Sequence, residues 1–454
     1  MLCKYVLSDI PELMRIIKDK NITDSEIKKE IEAISVKYCV PDAENIDYYD
    51  NVDYYKIIRY QKGILHDSLI PSLGLCRSVI LSRQNKVLCF APPKSILASN
   101  FITKYLDLKS PNPNIVAEEF VEGTMVNVFW DDTIKKSLSR YEFSRWELAT
   151  RNVIGACTTF YKSYDNSRYL LNKNKNKTFR AMFLETMELC NLKWTDLDKK
   201  YCYSFVLQHP DNRIVVPIKK PQMYLVGVFQ IEHVNTEEIN VYNIDYQSIR
   251  ADWKKNGASI KVPTKYPINS VKELIETYAS MNTPYNIMGV VLHNKETGER
   301  TKIRNPVYEE VRQLKGNQPK LQYQYLCLRK DGKIAEFLNY YPENKKLFYQ
   351  FREQVHLFTN TLYQNYVSCF IKKEKKLSEY SDQYRTHMYH LHQQYITELK
   401  EKKMYVNNTV VQKYVNELPS SLLMYCLNYH MRKRNIDCVK QEHPEYSDSK
   451  QINL

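Results

Sequence analysis

No run of about 18 apolar residues occurs in the 454-residue chain, so a membrane-spanning helix of ordinary length is excluded. The opening MLCKYVLSDIPELMRIIKDK lacks the uninterrupted apolar stretch of a secretory signal. The 11 cysteines are scattered singly, without a Cys-x-x-Cys pair, which argues against a disulfide framework or a cysteine zinc site and suits reduced thiols. A soluble cytoplasmic protein is therefore expected. Also missing are a Gly-x-x-x-x-Gly-Lys-Ser/Thr phosphate loop, a Gly-x-Ser-x-Gly elbow and a His-Glu-x-x-His helix, and with them the commonest sequence signs of a nucleotide hydrolase, an esterase or a zinc protease. Glycine is scarce, at 10 residues, and no internal repeat is present.

What is abundant is positive charge and tyrosine. The formal net charge is +14, a balance that favours a polyanionic partner and bears on association rather than on fold. It is uneven: residues 1–50 carry 7 basic and 11 acidic side chains, whereas residues 301–454 carry 25 and 16. The 37 tyrosines outnumber the 15 phenylalanines and 4 tryptophans, and tyrosine interleaved with lysine and arginine can stack bases and contact phosphates. The same tyrosine and lysine enrichment with little glycine is also what an AT-rich coding genome produces.

With 43% hydrophobic residues, the chain has apolar material for two or three domains. Residues 1–65 read as a helical and mixed lead-in (PELMRIIKDK, DSEIKKEIEAISVKY). Residues 66–335 alternate short β-rich runs with polar turns: RSVILS, KVLCFA, EFVEGTMVNVFW, WELAT, YSFVLQ, RIVV, MYLVGVFQI, MGVVLH and RTKIRN. Helical windows interrupt them at NVIGACTTFYKSY, TFRAMFLETMELC and SVKELIETYASM, which predicts an α+β fold with antiparallel sheets. Residues 336–440 read as an all-helical domain, its first helix marked by Leu347, Phe351, Val355, Phe358, Leu362, Tyr366 and Phe370 at spacings of three and four. A polar tail occupies 441–454.

Arg77 in LCRSVILS, then PPKSILASNFITKY, FVEGTMVNVFWDD, WELATRNVIGA, YSFVLQHPDNRIVV and IMGVVLHNKETGERTKIRNPVY, in that order and at those separations, resemble the T-even phage RNA ligase 1-like family of covalent nucleotidyltransferases. The resemblance implies an ATP-grasp-like ligase domain followed by a helical domain. It also implies a lysine nucleophile in a Lys-x-Asp-Gly element, attacking the α-phosphate of ATP to give a phosphoramidate. The aligned element here is Phe120-Val121-Glu122-Gly123, and no lysine lies between Lys109 and Lys135. Two acids that the resemblance implies for nucleotide and metal fall on Val206 and Met288, and apolar side chains supply no ligand to Mg²⁺.

Arg77, Glu122, Arg151, Asn212, Arg213, Lys302 and Arg304 remain at positions where the resemblance implies nucleotide or RNA binding. Arginine offers phosphate a planar fork and lysine a point charge. The expectation is a catalytically inactive RNA ligase-like protein that binds RNA or RNA ends through this remnant cradle and the basic helical domain, with no catalytic residue, metal or cofactor. Protein partners in a viral or ribonucleoprotein complex fit the same reading; a membrane does not. A large DNA virus is the expected source. Two alternatives stand beside it: an active ATP- and Mg-dependent ligase whose nucleophile is relocated to a lysine such as Lys104 or Lys302, and a scaffold without nucleic-acid affinity. His387, His390 and His392 on one helix, the basic runs KKEKK and MRKRN, and Cys76 beside Arg77 read as solvated helix faces and a buried thiol rather than as metal, nucleic-acid or nucleophile sites.

Overall fold

The computed structural model describes residues 2–19, 31–37, 54–106, 112–133, 145–160, 177–235 and 237–431. Its strands are β1 (Lys4–Val6), β2 (Ile31–Lys37), β3 (Tyr54–Tyr60), β4 (Val79–Leu81), β5 (Val87–Cys89), β6 (Ile115–Glu119), β7 (Thr124–Trp130), β8 (Trp146–Ala149), β9 (Tyr201–Gln208), β10 (Gln222–His233), β11 (Ile239–Asn243), β12 (Lys265–Tyr266), β13 (Gly289–Asn294) and β14 (Arg300–Arg304). Its helices are α1 (Pro11–Lys18), α2 (Ala98–Tyr105), α3 (Phe179–Leu189), α4 (Tyr246–Lys255), α5 (Val271–Tyr278), α6 (Pro306–Lys315), α7 (Leu321–Lys330), α8 (Ile334–Tyr340), α9 (Lys345–Tyr366), α10 (Asp382–Gln394), α11 (Asn408–Glu417) and α12 (Ser420–Leu427). The fold is α+β. None of the described helices is long and apolar enough to cross a membrane.

Every strand pair is antiparallel. They form a six-stranded sheet ordered β1-β11-β10-β9-β7-β8 and two four-stranded sheets, β12-β6-β13-β14 and β2-β3-β4-β5. Period-two alternation decides what each face meets. In β9, Tyr203, Phe205 and Leu207 enter one core with Val126, Val128, Phe183 and Trp253, under α3 and α4. On the opposite face Cys202 joins a second core with Ile57, Ile80, Cys89 and Phe90, which seats β3, β4 and β5 against the large sheet. In β13 and β14, Val290, Leu292 and Ile303 pack beneath α2 and α5 with Phe101 and Leu274. Caps set the helix starts: Thr178 Oγ1 accepts from Ala181 N at 3.1 Å and Ser270 Oγ from Glu273 N at 3.1 Å.

Several expectations need correction. Residues 31–37 pair with β3 instead of forming a helix. EFVEGTMVNVFW is two strands in two different sheets, β6 and β7, separated at Phe120–Gly123. RIVV is a bend, and residues 152–160 are a loop with a bridge from Ile154 to Ala149. The rest of that helical window, residues 161–164, lies outside the described residues, as do the tail 441–454 and all of MRKRN after Met431. The first 65 residues are no separate lead-in, because β1 pairs with β11 and β3 with β4. The chain packs as two units, Met1–Arg312 and Gln313–Leu454, so the division falls before α7 rather than at 335. In the second unit Phe348, Val355, Phe358, Leu362 and Tyr366 of α9 are buried, while Leu347, expected to open that stripe, is 40% exposed.

Candidate phosphate cradle between two sheets

A cleft of about 480 Å³ opens between the six-stranded sheet and the sheet of β6, β13 and β14, lined by Phe120, Glu122, Gln208, Tyr224, Tyr266 and Met288 among others. The chain enters it where it crosses from β6 to β7. Gly123 makes that crossing at φ +148, and a Cβ there would lie 2.5 Å from the Leu207 carbonyl oxygen and 2.6 Å from Val206 Cγ1. Only glycine tolerates both demands.

The cations that line the cleft are Lys219 and Lys220; those of β14 adjoin it through the Phe120 ring. Thr301 Oγ1 donates to Ile96 O at 2.8 Å and Ile303 packs against the core beneath α2 and α5, so by alternation Arg300, Lys302 and Arg304 share the opposite face. Gly289 pairs with Arg304 across β13, and Phe120 N donates to the Gly289 carbonyl at 3.1 Å. Phe120, Gly289 and Arg304 therefore form one row, and the residue between the ring and the arginine has no side chain. Lys302 Nζ lies 4.8 Å and Arg304 Cζ 5.5 Å from the Phe120 ring centre, within cation–π range. Gly289 sits at φ +133 with Ile303 O 2.2 Å from any added Cβ.

The cations are crowded. Burial, then Arg300, Arg77 and Arg304, push the Lys302 amine down to about 5. Burial likewise lowers Arg77, with Arg151 adding to the effect, and lowers Arg300 to about 9, with Arg77 contributing. Backbone carbonyls hold two of them: Arg300 donates to Pro93 O at 2.9 and 2.6 Å and to Pro92 O at 3.1 Å, and Arg77 to Pro92 O at 3.3 Å. Arg304 pairs with Glu309. Among the described residues no carboxylate pairs with Lys302. Arg151 donates to Tyr60 O at 3.3 Å and lies 4.9 Å from the Tyr60 ring centre, while its buried Nε finds no hydrogen-bond acceptor. Arg77, Arg151, Lys302 and Arg304 are thus brought into one electrostatic group. Arg300, missed in the sequence, completes it; its signal is its phase with Lys302 and Arg304 in RTKIR.

The other three expected residues belong to a second group around the loop after β9. The Glu122 carboxylate accepts from Val215 N at 3.2 Å, from Val216 N at 3.1 Å and from the Tyr308 hydroxyl. Asn212 Nδ2 donates to Thr124 Oγ1 at 2.8 Å. Arg213 donates to Val215 O from Nε at 3.1 Å and from a terminal nitrogen at 2.9 Å. Glu122, Asn212 and Arg213 brace the cleft wall. Val206 packs with Val121 and Tyr224, and the Met288 carbonyl accepts from Asn305 N at 3.0 Å. Asn305, also unanticipated, donates to the carbonyls of Thr283, Pro284 and Ile287 at 3.2, 2.9 and 2.9 Å and fixes the approach to β13.

The two carboxylates lining the cleft are committed elsewhere: Glu122 to its loop, and Glu119 to Thr264 N at 3.2 Å and Thr264 Oγ1 at 2.9 Å. No group of three or more His, Cys, Asp or Glu among the described residues could hold a metal ion. This donor set does not fit Mg²⁺, which takes carboxylates together with phosphate. Lys104 is exposed on α2 and pairs with Glu299 at 2.9 Å. Cys76 is buried, and burial raises its thiol far above the ordinary range. The three histidines scatter: His387 is buried against Tyr414 and Cys426, His390 is exposed, and His392 stacks on Phe370.

No protein-family model matches the chain. An RNA ligase of Rhodothermus phage RM378 is 25% identical over 216 residues, 43% of this chain and 45% of the relative. An immediate-early protein ICP-46 homolog of Invertebrate iridescent virus 6 is 23% identical over 186 residues, 40% of this chain and 38% of the relative. The chain therefore spans less than half the length of these curated relatives. Among solved structures, an archaeal ATP-dependent RNA ligase matches with a TM-score of 0.32 at 12% identity, over 70% of this chain and 67% of the other. A Naegleria gruberi RNA ligase mutant with ATP and Mn matches with a TM-score of 0.30 at 11% identity, over 49% and 58%.

Proposed function

We propose, from the premise that the chain belongs with the RNA ligase-like nucleotidyltransferases, that it binds RNA or RNA ends at the β14 cation row without joining them. The observation that carries this reading is Phe120 lying beneath Lys302 and Arg304, at the position where the family resemblance implies a nucleophilic lysine. A phenyl ring forms no phosphoramidate, whereas cations without a full set of carboxylate partners suit phosphate. Val206 and Met288 fit the same account, because neither offers an oxygen to a metal.

The test is binding of labelled RNA carrying a 5′-phosphate or a 5′-hydroxyl to the full chain. Lys302→Gln and Arg304→Gln should each weaken binding about tenfold, the size of one charge-assisted hydrogen bond. Unchanged affinity in both removes the row from the function. The double change of Arg213 and Lys302, natural from the sequence, should do no more than Lys302→Gln, since Arg213 is turned to its own loop.

One observation favours the active-enzyme alternative. The crowded Lys302 amine is neutral near pH 7 and so nucleophilic, and it is the only one of the two relocated candidates not in an ion pair. Incubation with α-labelled ATP or GTP and Mg²⁺ or Mn²⁺ separates the readings: an adduct that disappears in Lys302→Gln would establish the enzyme and end the binding-only account. The scaffold alternative predicts no RNA binding above that of a charge-matched control.

A further inference from the structure

A second surface lies in the helical unit. α9 and α10 pack against each other: Phe358 stacks on Tyr384 at 5.3 Å, and Phe370, three turns further along the first, stacks on His392, two turns further along the second, at 3.9 Å. Each helix then widens into a π turn, Val367–Ile371 in one and Tyr395–Leu399 in the other, a feature that concentrates at functional positions. After each comes an exposed lysine-rich turn, Lys372, Lys373, Lys375 and Lys376 in the first and Lys400, Lys402 and Lys403 in the second. Each turn follows the Phe370–His392 contact along its own helix, Lys372 two residues after Phe370 and Lys400 eight residues after His392.

Rings fill the space between them. Tyr366 lies 5.2 Å from Phe370, and His392 continues the ladder to Tyr395 at 6.1 Å. Burial lowers the His392 imidazole below its ordinary range. Met404 N donates to Leu399 O at 2.8 Å and holds the segment after the second turn against the π helix. There Tyr405 is 70%, Ile371 58% and Met404 49% exposed. Lysines at helix C-termini complement the carbonyl ends of the dipole. One or two suffice for that, and dipoles do not account for the uncovered rings. Among these seven lysines only Lys372 makes an ion pair with a described residue, Glu374 at 3.7 Å.

We propose that this part of the helical unit binds single-stranded RNA, with a base stacking on Tyr405 and the lysines of the two turns following the phosphates. The inference rests on the reading that the chain binds RNA, and it specifies where and in which form. An exposed tyrosine beside Lys400, Lys402 and Lys403 suits an unpaired base, whose π face is free, whereas a duplex conceals it. An acidic protein segment would satisfy the lysines and leave the rings without a partner.

The experiment uses the full chain and a fluorescein-labelled oligouridylate of about 12 nucleotides, within the usual site sizes for single strands. Replacing Lys373, Lys375, Lys402 and Lys403 together with Gln should reduce the slope of log affinity against log salt by about 0.7 for each phosphate that is no longer neutralised. Tyr405→Ala, at an exposed position where truncation leaves the core intact, should weaken binding by about 5- to 100-fold, the effect of removing one stacked base. A duplex of equal length should compete poorly. The inference is overturned if both variants keep wild-type affinity and slope, or if polyglutamate of matched charge displaces the RNA as well as unlabelled oligouridylate does. Should Lys302→Gln and Arg304→Gln abolish binding while these variants do not, the RNA-binding reading stands and this surface fails. Absence of binding by the unaltered chain removes both.

Discussion

Phe120 lines the cleft, with Lys302 and Arg304 against its ring. Near neutral pH, where the Lys302 amine is uncharged, the ring offers its negative face to Arg304, and Phe120→Leu keeps the apolar volume while removing that face. A loss of about 0.5–1 kcal/mol is expected from this one cation–π interaction, read as a lower denaturation midpoint at unchanged slope. Lys302 makes a sharper, pH-dependent prediction. Its folded value near 5 lies far below the 10.5 of a free lysine, so between these limits the unfolded chain binds a proton that the folded chain does not. Its contribution therefore makes stability rise with pH across that window, and the penalty is complete below about pH 5. A phosphate placed over the amine restores the proton. Binding of RNA near neutral pH should take up a proton at this site, with affinity rising as pH falls and levelling once the free site is charged. Calorimetry in two buffers of different ionisation enthalpy measures the uptake. Lys302→Gln should abolish it, and uptake that survives the substitution would assign the titration elsewhere.

The β6–β7 crossover and the loop after β9 are where elements position the site. Glu122 joins them, and Glu122→Ala leaves the buried Val215 and Val216 N–H groups without acceptors, at a cost of about 1–3 kcal/mol. The midpoint should fall by that amount, and trypsin should cut faster after Lys219, exposed in the loop that Glu122 anchors. This role was not legible in the sequence, where Glu122, Asn212 and Arg213 looked like ligand-binding groups, because a hydrogen bond from a carboxylate to a loop some ninety residues away leaves no local trace. Nor was the break within EFVEGTMVNVFW, whose β-rich character resumes directly after Glu122-Gly123; it depends on how close Leu207 passes. Residues 31–37 misled for another reason. Ile27, Ile31 and Ile34 fall at helical spacing, and pairing with β3 overrides it. The grouping of Arg300, Lys302 and Arg304 on one strand face was readable, since RTKIRN alternates visibly, and only the lowered Lys302 amine needed the buried neighbours to be seen.

At the scale of the whole molecule, the charge that sets residues 301–454 apart divides between two units, because Lys302 and Arg304 belong to the first and the lysine-rich turns to the second. Two basic surfaces on one chain make a prediction about ligand length rather than sequence. A strand too short to meet both feels one site, and its salt slope reports only the phosphates neutralised there. A strand long enough to meet both turns the second encounter into an intramolecular one, raising affinity by about 10²- to 10⁴-fold without any new interaction. Affinity measured against oligonucleotide length should therefore show a step, and the step should vanish when either Lys302 and Arg304 or the four turn lysines are replaced. Below the step the two sets of substitutions share no partner, so their free-energy effects should add, whereas above it either set alone should cost nearly the whole gain. A smooth rise with length, unchanged by both sets, would mean that the net charge acts as a diffuse field and that neither surface is a site.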